Sequence, residues 1–208
     1  MKVLVACEFS GTVRDAFTAR GHDAWSCDLL PTEKPGQHII GDVREVLDLG
    51  WDLMIAHPTC TRLTNSGVRW LHIPPKGRTL DEMWAELKEA ADFYCALRDA
   101  PIPKKAIENP IMHKYARQLI QPKKRQIVQP HFFGDKSFKA TGFELYGLPE
   151  LQRTHFMELP KPGTLEHRQW SAIHRASPGP NRWKARSKTF PGLAEAMADQ
   201  WGTELKCL

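Results

Sequence analysis

The 208-residue chain has no apolar run of membrane-spanning length, no Cys-x-x-Cys pair and no histidines at a zinc-binding interval such as His-Glu-x-x-His. The first absence argues against a transmembrane helix. The opening Met1-Lys2-Val3-Leu4-Val5-Ala6 enters a strand pattern, without the longer apolar run of a signal peptide, so a cytoplasmic protein is expected. The five cysteines, at positions 7, 27, 60, 95 and 207, are odd in number and unpaired in spacing. That speaks against a disulfide framework and a zinc knuckle, and free thiols without a metal are expected. Internal repeats and low-complexity tracts are also missing.

What is present fits one domain of ordinary size: 41% apolar and 25% charged residues belong to a soluble globular chain with enough length for one core. Charge is uneven. Residues 1 to 103 hold 11 Lys+Arg against 15 Asp+Glu, and residues 104 to 208 hold 18 against 9, giving −4 and +9. The basic half either contacts an anionic partner through its Lys and Arg or presents a solvated basic face.

The hydrophobic pattern alternates strands and helices. Lys2 to Cys7 reads as a strand, followed by Ser10-Gly11-Thr12, by Val13 and Phe17 four apart, and by a glycine stop at Gly21. Further strands are expected at His22 to Cys27, His38 to Gly41 and Trp51 to Ala56, ending at Asp28, Asp42 and His57-Pro58. From Leu80 to Leu97 the spacing predicts the longest helix, ahead of a strand at Ala106-Ile107-Glu108. Arg125 to Gln129 and Phe138 to Leu145 read as an antiparallel hairpin at the sheet edge, 152 to 187 as a long basic loop, and Pro191 onward as a last helix.

In an open α/β sheet ligands bind beyond the carboxyl ends of the strands. Polar residues therefore matter most there. Asp28 and Asp42 suit ribose hydroxyls and an exocyclic amine, or else are Asx-turn and cap residues. Asp52-Leu-Met-Ile-Ala-His-Pro58-Thr-Cys60 delivers a thiol from one strand end, and Lys105-Ala-Ile-Glu108-Asn109-Pro110 a carboxyl from another. Cys60 is a nucleophile or a structural thiol; Glu108 is an acid/base group or a partner of a nearby lysine. Cys7, Cys27 and Cys95 lie in apolar runs and are assigned to the core.

In order and spacing, Glu8-Phe9-Ser10-Gly11, Asp28, Gly41-Asp42-Val43, the Pro58-Thr59-Cys60 segment and Ile107-Glu108-Asn109 resemble the motif series of the cytosine-C5 DNA methyltransferase family, over residues 3 to 110. Thr189-Phe-Pro-Gly-Leu-Ala-Glu-Ala-Met-Ala198 is similar to its final motif. The resemblance implies a Rossmann-like S-adenosylmethionine-dependent methyltransferase fold in a single domain. Residues 1 to 110 would be the cofactor and catalytic half, and 111 to 208 the basic half that completes the sheet and meets nucleic acid.

It further implies that the Cys60 thiolate adds to C6 of cytosine in DNA, making C5 nucleophilic toward the sulfonium methyl, while Glu108 hydrogen-bonds N3 and the amino group of the base. Held in a closed pocket, Glu108 should have a raised pKa. His57, Arg62 and Arg69 are the local candidates for activating Cys60. Phe9, Ser10, Gly11, Asp28, Asp42 and Pro58 would hold the cofactor, with its carboxylate at the amino end of the first helix or on Arg14. Asn109, Arg62, Lys136, Lys139, Arg182, Lys184 and Arg186 would contact substrate.

The chain departs from the family in three places. Gly11-Thr-Val-Arg14 replaces a more glycine-rich loop, His57-Pro58-Thr59-Cys60-Thr61 replaces Pro-Pro-Cys-Gln, and Lys136-Ser-Phe-Lys139 stands where Gln-x-Arg-x-Arg is usual. Only 100 residues follow Glu108, too few for a full target-recognition domain. A free pyrimidine nucleotide, an RNA cytosine, or non-catalytic binding of nucleic acid are the alternative roles.

Overall fold

The computed structural model describes residues 1–175, 179 and 182–203. Seven strands form one sheet: β1 (Lys2–Ala6), β2 (Asp23–Asp28), β3 (His38–Ile40), β4 (Leu53–Ala56), β5 (Lys104–Glu108), β6 (Gln126–Val128) and β7 (Thr141–Tyr146). Their spatial order is β3-β2-β1-β4-β5-β7-β6. The first five pair in parallel, and β7 runs antiparallel between β5 and β6. Mixed α/β architecture, a mostly parallel sheet flanked by helices and an antiparallel edge make up the expected fold class.

Strands covered on both faces read as continuous apolar runs, and β1 and β4 are buried along nearly their whole length. Val3, Val5, Leu53 and Ile55 point to one face, where α1 (Thr12–Thr18) and α7 (Pro191–Trp201) pack. Leu4, Ala6, Met54 and Ala56 point to the other, under α2 (Leu80–Asp99) and α3 (Lys114–Ile120). α2 begins with a reciprocal cap between Thr79 and Glu82 and buries Met83, Leu87, Ala91, Tyr94 and Leu97, one stripe of its surface. α7 buries Leu193, Met197 and Trp201, whose indole donates to the Pro149 carbonyl at 3.0 Å. Truncation of that tryptophan to alanine should cost about 3–5 kcal/mol.

One element is added to the expected set, and one expectation is corrected. α3, unexpected from its weak apolar pattern, starts at a His113 cap whose ring nitrogen accepts from the Ala116 amide. The segment expected as a long loop contains α4 (Leu165–Trp170), α5 (Ala172–Arg175) and α6 (Arg182–Ser187). Trp170 is buried against Phe138 and His131, so aromatic packing anchors α4 in a stretch that has almost no periodicity.

Candidate active site

The carboxyl ends of β1, β2 and β4, with the turn after β3, open onto a cavity of 480 Å³, a size suited to a nucleoside-sized ligand. Asp28, Asp42, Val43 and Phe93 are among its walls. Four carboxylates (Asp28, Asp42, Glu86, Glu89) and two guanidinium groups (Arg44, Arg62) line it, which favours a ligand of net positive charge. Asp28 accepts from the Leu30 amide at 2.9 Å, an Asx turn. Asp42 caps the helical turn Val43–Val46, and its bond from the Arg44 guanidinium holds its carboxyl below the usual range. Both acids therefore have local partners and also border the cavity.

Cys7 lines the cavity as well, half-buried at φ 59°, a backbone region uncommon for a residue with a side chain. Cys27 is fully buried, and loss of hydration pushes its thiol up to about 11. Cys95 is half-buried beside the core.

Phe9, Ser10, Gly11 and Pro58 do not border this cavity; each is buried in the protein. The reason lies in two buried charged residues, Glu8 and Arg14. Buried Glu8 accepts from the Val13 and Arg14 amides at 2.7 and 3.2 Å and from Ser10 Oγ at 3.1 Å, so the amino end of α1 already has its carboxylate. Arg14 is 1% exposed and donates to Ser26 Oγ, Thr32 Oγ1 and the carbonyls of Lys34 and Pro35, pinning the loop after β2. A Cβ on Gly11 (φ +69°) would stand 2.5 Å from the Arg14 guanidinium, and one on Gly36 2.7 Å from it. The space left by Gly11 thus belongs to Arg14, and neither group is available to a cofactor carboxylate.

The second cluster lies at the ends of β4 and β5. Ala56 is level with Ile107 in this parallel pair, so the following residues, His57 and Glu108, are lateral neighbours. His57 Nδ1 is 2.9 Å from Glu108 Oε2. Burial alone would raise the Glu108 carboxyl, but the His57 hydrogen bond, the His57 charge and Lys139 together bring it below its ordinary 4.5. The expectation of a raised value is corrected: buried carboxyls rise only where no donor or cation reaches them. The side chain is still 29% exposed, so it borders an opening. His57 is 8% exposed, and its Nε2 has no hydrogen-bond partner among the described residues. An orphan of this kind costs about 1–3 kcal/mol, which packing alone does not explain.

Cys60 is exposed at the start of a turn, its carbonyl accepting from the Leu63 and Thr64 amides at 3.0 and 3.1 Å. His113 locks this turn by bonding the Arg62 carbonyl at 2.8 Å, and a Cβ on Gly67 would meet the Thr61 carbonyl at 2.3 Å. The thiol is raised, first by loss of hydration and then by the negative charge of Glu108, while Lys139 and Arg186 oppose the shift. Cys60, Glu108, Lys139 and Arg186 therefore share one electrostatic environment.

Lys139 arrives there because β7 runs antiparallel to β5, with Phe143 beside Glu108. Its Nζ also donates to the Lys188 carbonyl at 3.3 Å, tying the end of α6 to the site. Trp183 of α6 packs edge-on against Phe9 at 5.9 Å, Lys184 lies over the Trp183 ring, and Lys188 pairs with Glu33 at 2.5 Å. Arg182, Lys184 and Arg186 thus lie on one short helix, of which Arg186 is near enough for its charge to act on the Cys60 thiol.

Other expected substrate contacts lie elsewhere. Asn109 is 3% exposed and gives its amide to Glu144 at 3.2 Å, behind the sheet end. Arg62 pairs with Glu86 at 2.5 Å on the wall of the larger cavity, Arg69 lies over the Trp70 ring, and Lys136 is exposed. Of the three residues considered as activators of Cys60, His57 serves Glu108 instead, and Arg62 serves α2. No group of side chains that could hold a metal ion occurs among the described residues, and no described helix is long and apolar enough to cross a membrane.

No family model and no curated protein matches the chain. Among solved structures, it is similar to one from E. coli, provisionally named a DNA modification methyltransferase encoded within a prophage, at 13% identity and a TM-score of 0.43. That alignment covers 69% of this chain and 45% of the other, so the chain spans under half of that protein's length.

Proposed function

We propose that this protein transfers a methyl group from S-adenosylmethionine to C5 of cytosine in DNA through a covalent Cys60 adduct, with Glu108 meeting the ring nitrogen of the base. The observation that carries the reading is the β4–β5 register, which sets Glu108 beside His57, three residues before Cys60, with the charges of Glu108 and Lys139 both acting on that thiol. The larger cavity fits the cofactor's adenosyl part, with Asp28 facing ribose and Asp42 the adenine amine, and its excess of carboxylates suits a sulfonium. S-adenosylmethionine, when bound, supplies the electrophilic methyl.

An aromatic pyrimidine is a poor carbon nucleophile, and addition of sulfur at C6 removes the aromaticity that blocks C5. Cys60 supplies that sulfur. Glu108, on taking up the proton that Cys60 loses, meets the negative charge developing at N3 as a hydrogen-bond donor, and Lys139 neutralises the pair as the adduct forms. The base must leave the duplex to reach Cys60. Arg182, Lys184 and Arg186 are suited to hold the phosphates around it, and half-exposed Trp183 offers a stacking face.

The test is transfer of labelled methyl to duplex DNA, RNA and free cytidine nucleotides, with S-adenosylhomocysteine binding followed by calorimetry. DNA should accept methyl and Cys60→Ser should abolish transfer. Transfer that survives this substitution contradicts the covalent route, preference for RNA or nucleotide changes the substrate, and salt-dependent DNA binding with no cofactor heat points to a non-catalytic binder.

A further inference from the structure

The methyl-transfer reading assigns no task to His57, although this histidine joins the ends of two neighbouring strands. Its Nδ1 bonds Glu108 Oε2 at 2.9 Å, its side chain is 92% buried, and Nε2 has no partner among the described residues. An ionised carboxylate only accepts, so Nδ1 donates. Nε2 is left unpartnered among the described residues whether the ring is neutral or charged, an arrangement retained at a loss unless the bond to Glu108 matters.

Among the described residues, three charged or ionisable groups act on this pair. Lys139 reaches Glu108 from the segment before β7, Cys60 from the loop after β4, and Arg186 reaches Cys60 from α6. The two groups are shifted in opposite senses, the Glu108 carboxyl toward its ionised form and the Cys60 thiol toward its protonated form, the reverse of what attack on the base requires.

We propose that His57 is a positioning residue for Glu108, tying down Oε2 so that Oε1 meets the pyrimidine nitrogen and keeping the carboxylate ionised until a base arrives. The assignment rests on the methyl-transfer reading for its chemistry. On attack the Sγ–H bond breaks and sulfur bonds C6. The C5=C6 electron pair shifts to C4–C5, the C4=N3 pair moves to N3, and the proton released by sulfur ends on N3 by way of Oε1. The site's proton count does not change, so no outside acid is needed.

The test compares wild type with His57→Ala and His57→Asn, whose amide keeps a donor where Nδ1 stood. A carbon-NMR titration of the Glu108 carboxyl, assigned by its loss in Glu108→Gln, requires no substrate and is run beside the pH profile of kcat/KM and a thermal melt. His57→Ala should raise the Glu108 midpoint by about one pH unit or more, because burial is then opposed by Lys139 alone. The acid limb of kcat/KM should move with it, and His57→Asn should restore most of both. An unmoved Glu108 midpoint in folded His57→Ala overturns the proposal, as does a rate loss uniform in pH that asparagine does not relieve. If no acceptor is methylated, the NMR shift still upholds or overturns the hold of His57 on Glu108, while the methyl-transfer reading alone fails.

Discussion

Glu108 and Glu144 are carboxylates one step apart across the β5–β7 pair, where Glu144 stands beside Ile107 and Phe143 beside Glu108. Glu144 is 0% exposed and takes hydrogen bonds from Tyr94 Oη at 2.8 Å, Asn109 Nδ2 at 3.2 Å, the Lys123 amide at 3.0 Å and Tyr146 Oη. Loss of hydration, and then the charge of Glu144, push the Tyr94 hydroxyl upward. Glu108 borders an opening and has one described side-chain donor, His57. A closed, satisfied acid belongs to the fold, and an open one with spare acceptor capacity is suited to a ligand.

The largest expected effect falls at the nucleophile on the open side. Cys60→Ala should lower methyl transfer by at least about 10³-fold while leaving the melting temperature nearly unchanged, because the residue is exposed. Glu108→Gln should lower transfer by about 10²–10³-fold with little loss of stability. Glu144→Ala should do the opposite: it strands two tyrosines and two amides, costs about 2–4 kcal/mol in denaturant unfolding, and leaves kcat of the folded fraction close to wild type. Equal behaviour of the two glutamate variants in both assays would erase the distinction.

Smaller effects sharpen the same contrast. Asp28→Ala and Asp42→Asn should each weaken S-adenosylhomocysteine binding by about tenfold in calorimetry. The pH dependence of stability should separate the acids further. The depressed Glu108 carboxyl contributes stability that is complete above its unfolded value near 4.5 and is lost as pH falls through its lower folded value. Glu108→Gln should therefore flatten the unfolding free energy below about pH 4.5.

Most of the sheet was legible because its strands alternate with helices and end in polar residues. Asp28, Asp42, His57 and Glu108 all stand at or just past strand ends, as the pattern indicated. The pairing of His57 with Glu108 requires the β4–β5 register, which no single segment encodes. The structural roles of Glu8 and Arg14 were not legible for a related reason, and Arg14, expected to meet a cofactor carboxylate, is taken up inside the fold. Sequence reading treats charged residues near a glycine as loop or ligand contacts, whereas here Glu8 caps α1 and Arg14 fills the space beside Gly11 and Gly36. Asn109 was misjudged because its partner, Glu144, is 35 positions away on β7. Lys139 was legible only as a lysine in about the right region, since its approach to Glu108 depends on β7 being antiparallel.

The central claim is that Cys60 attacks a pyrimidine held by Glu108. Duplex DNA carrying 5-fluorocytosine, whose C5 substituent cannot leave as a proton, tests it most directly when incubated with the protein and S-adenosylmethionine and followed by intact mass and peptide mapping. A covalent protein–DNA complex joined through Cys60, absent in Cys60→Ala and slowed in Glu108→Gln, is the predicted result. Methyl transfer to ordinary cytosine with no such complex would contradict it.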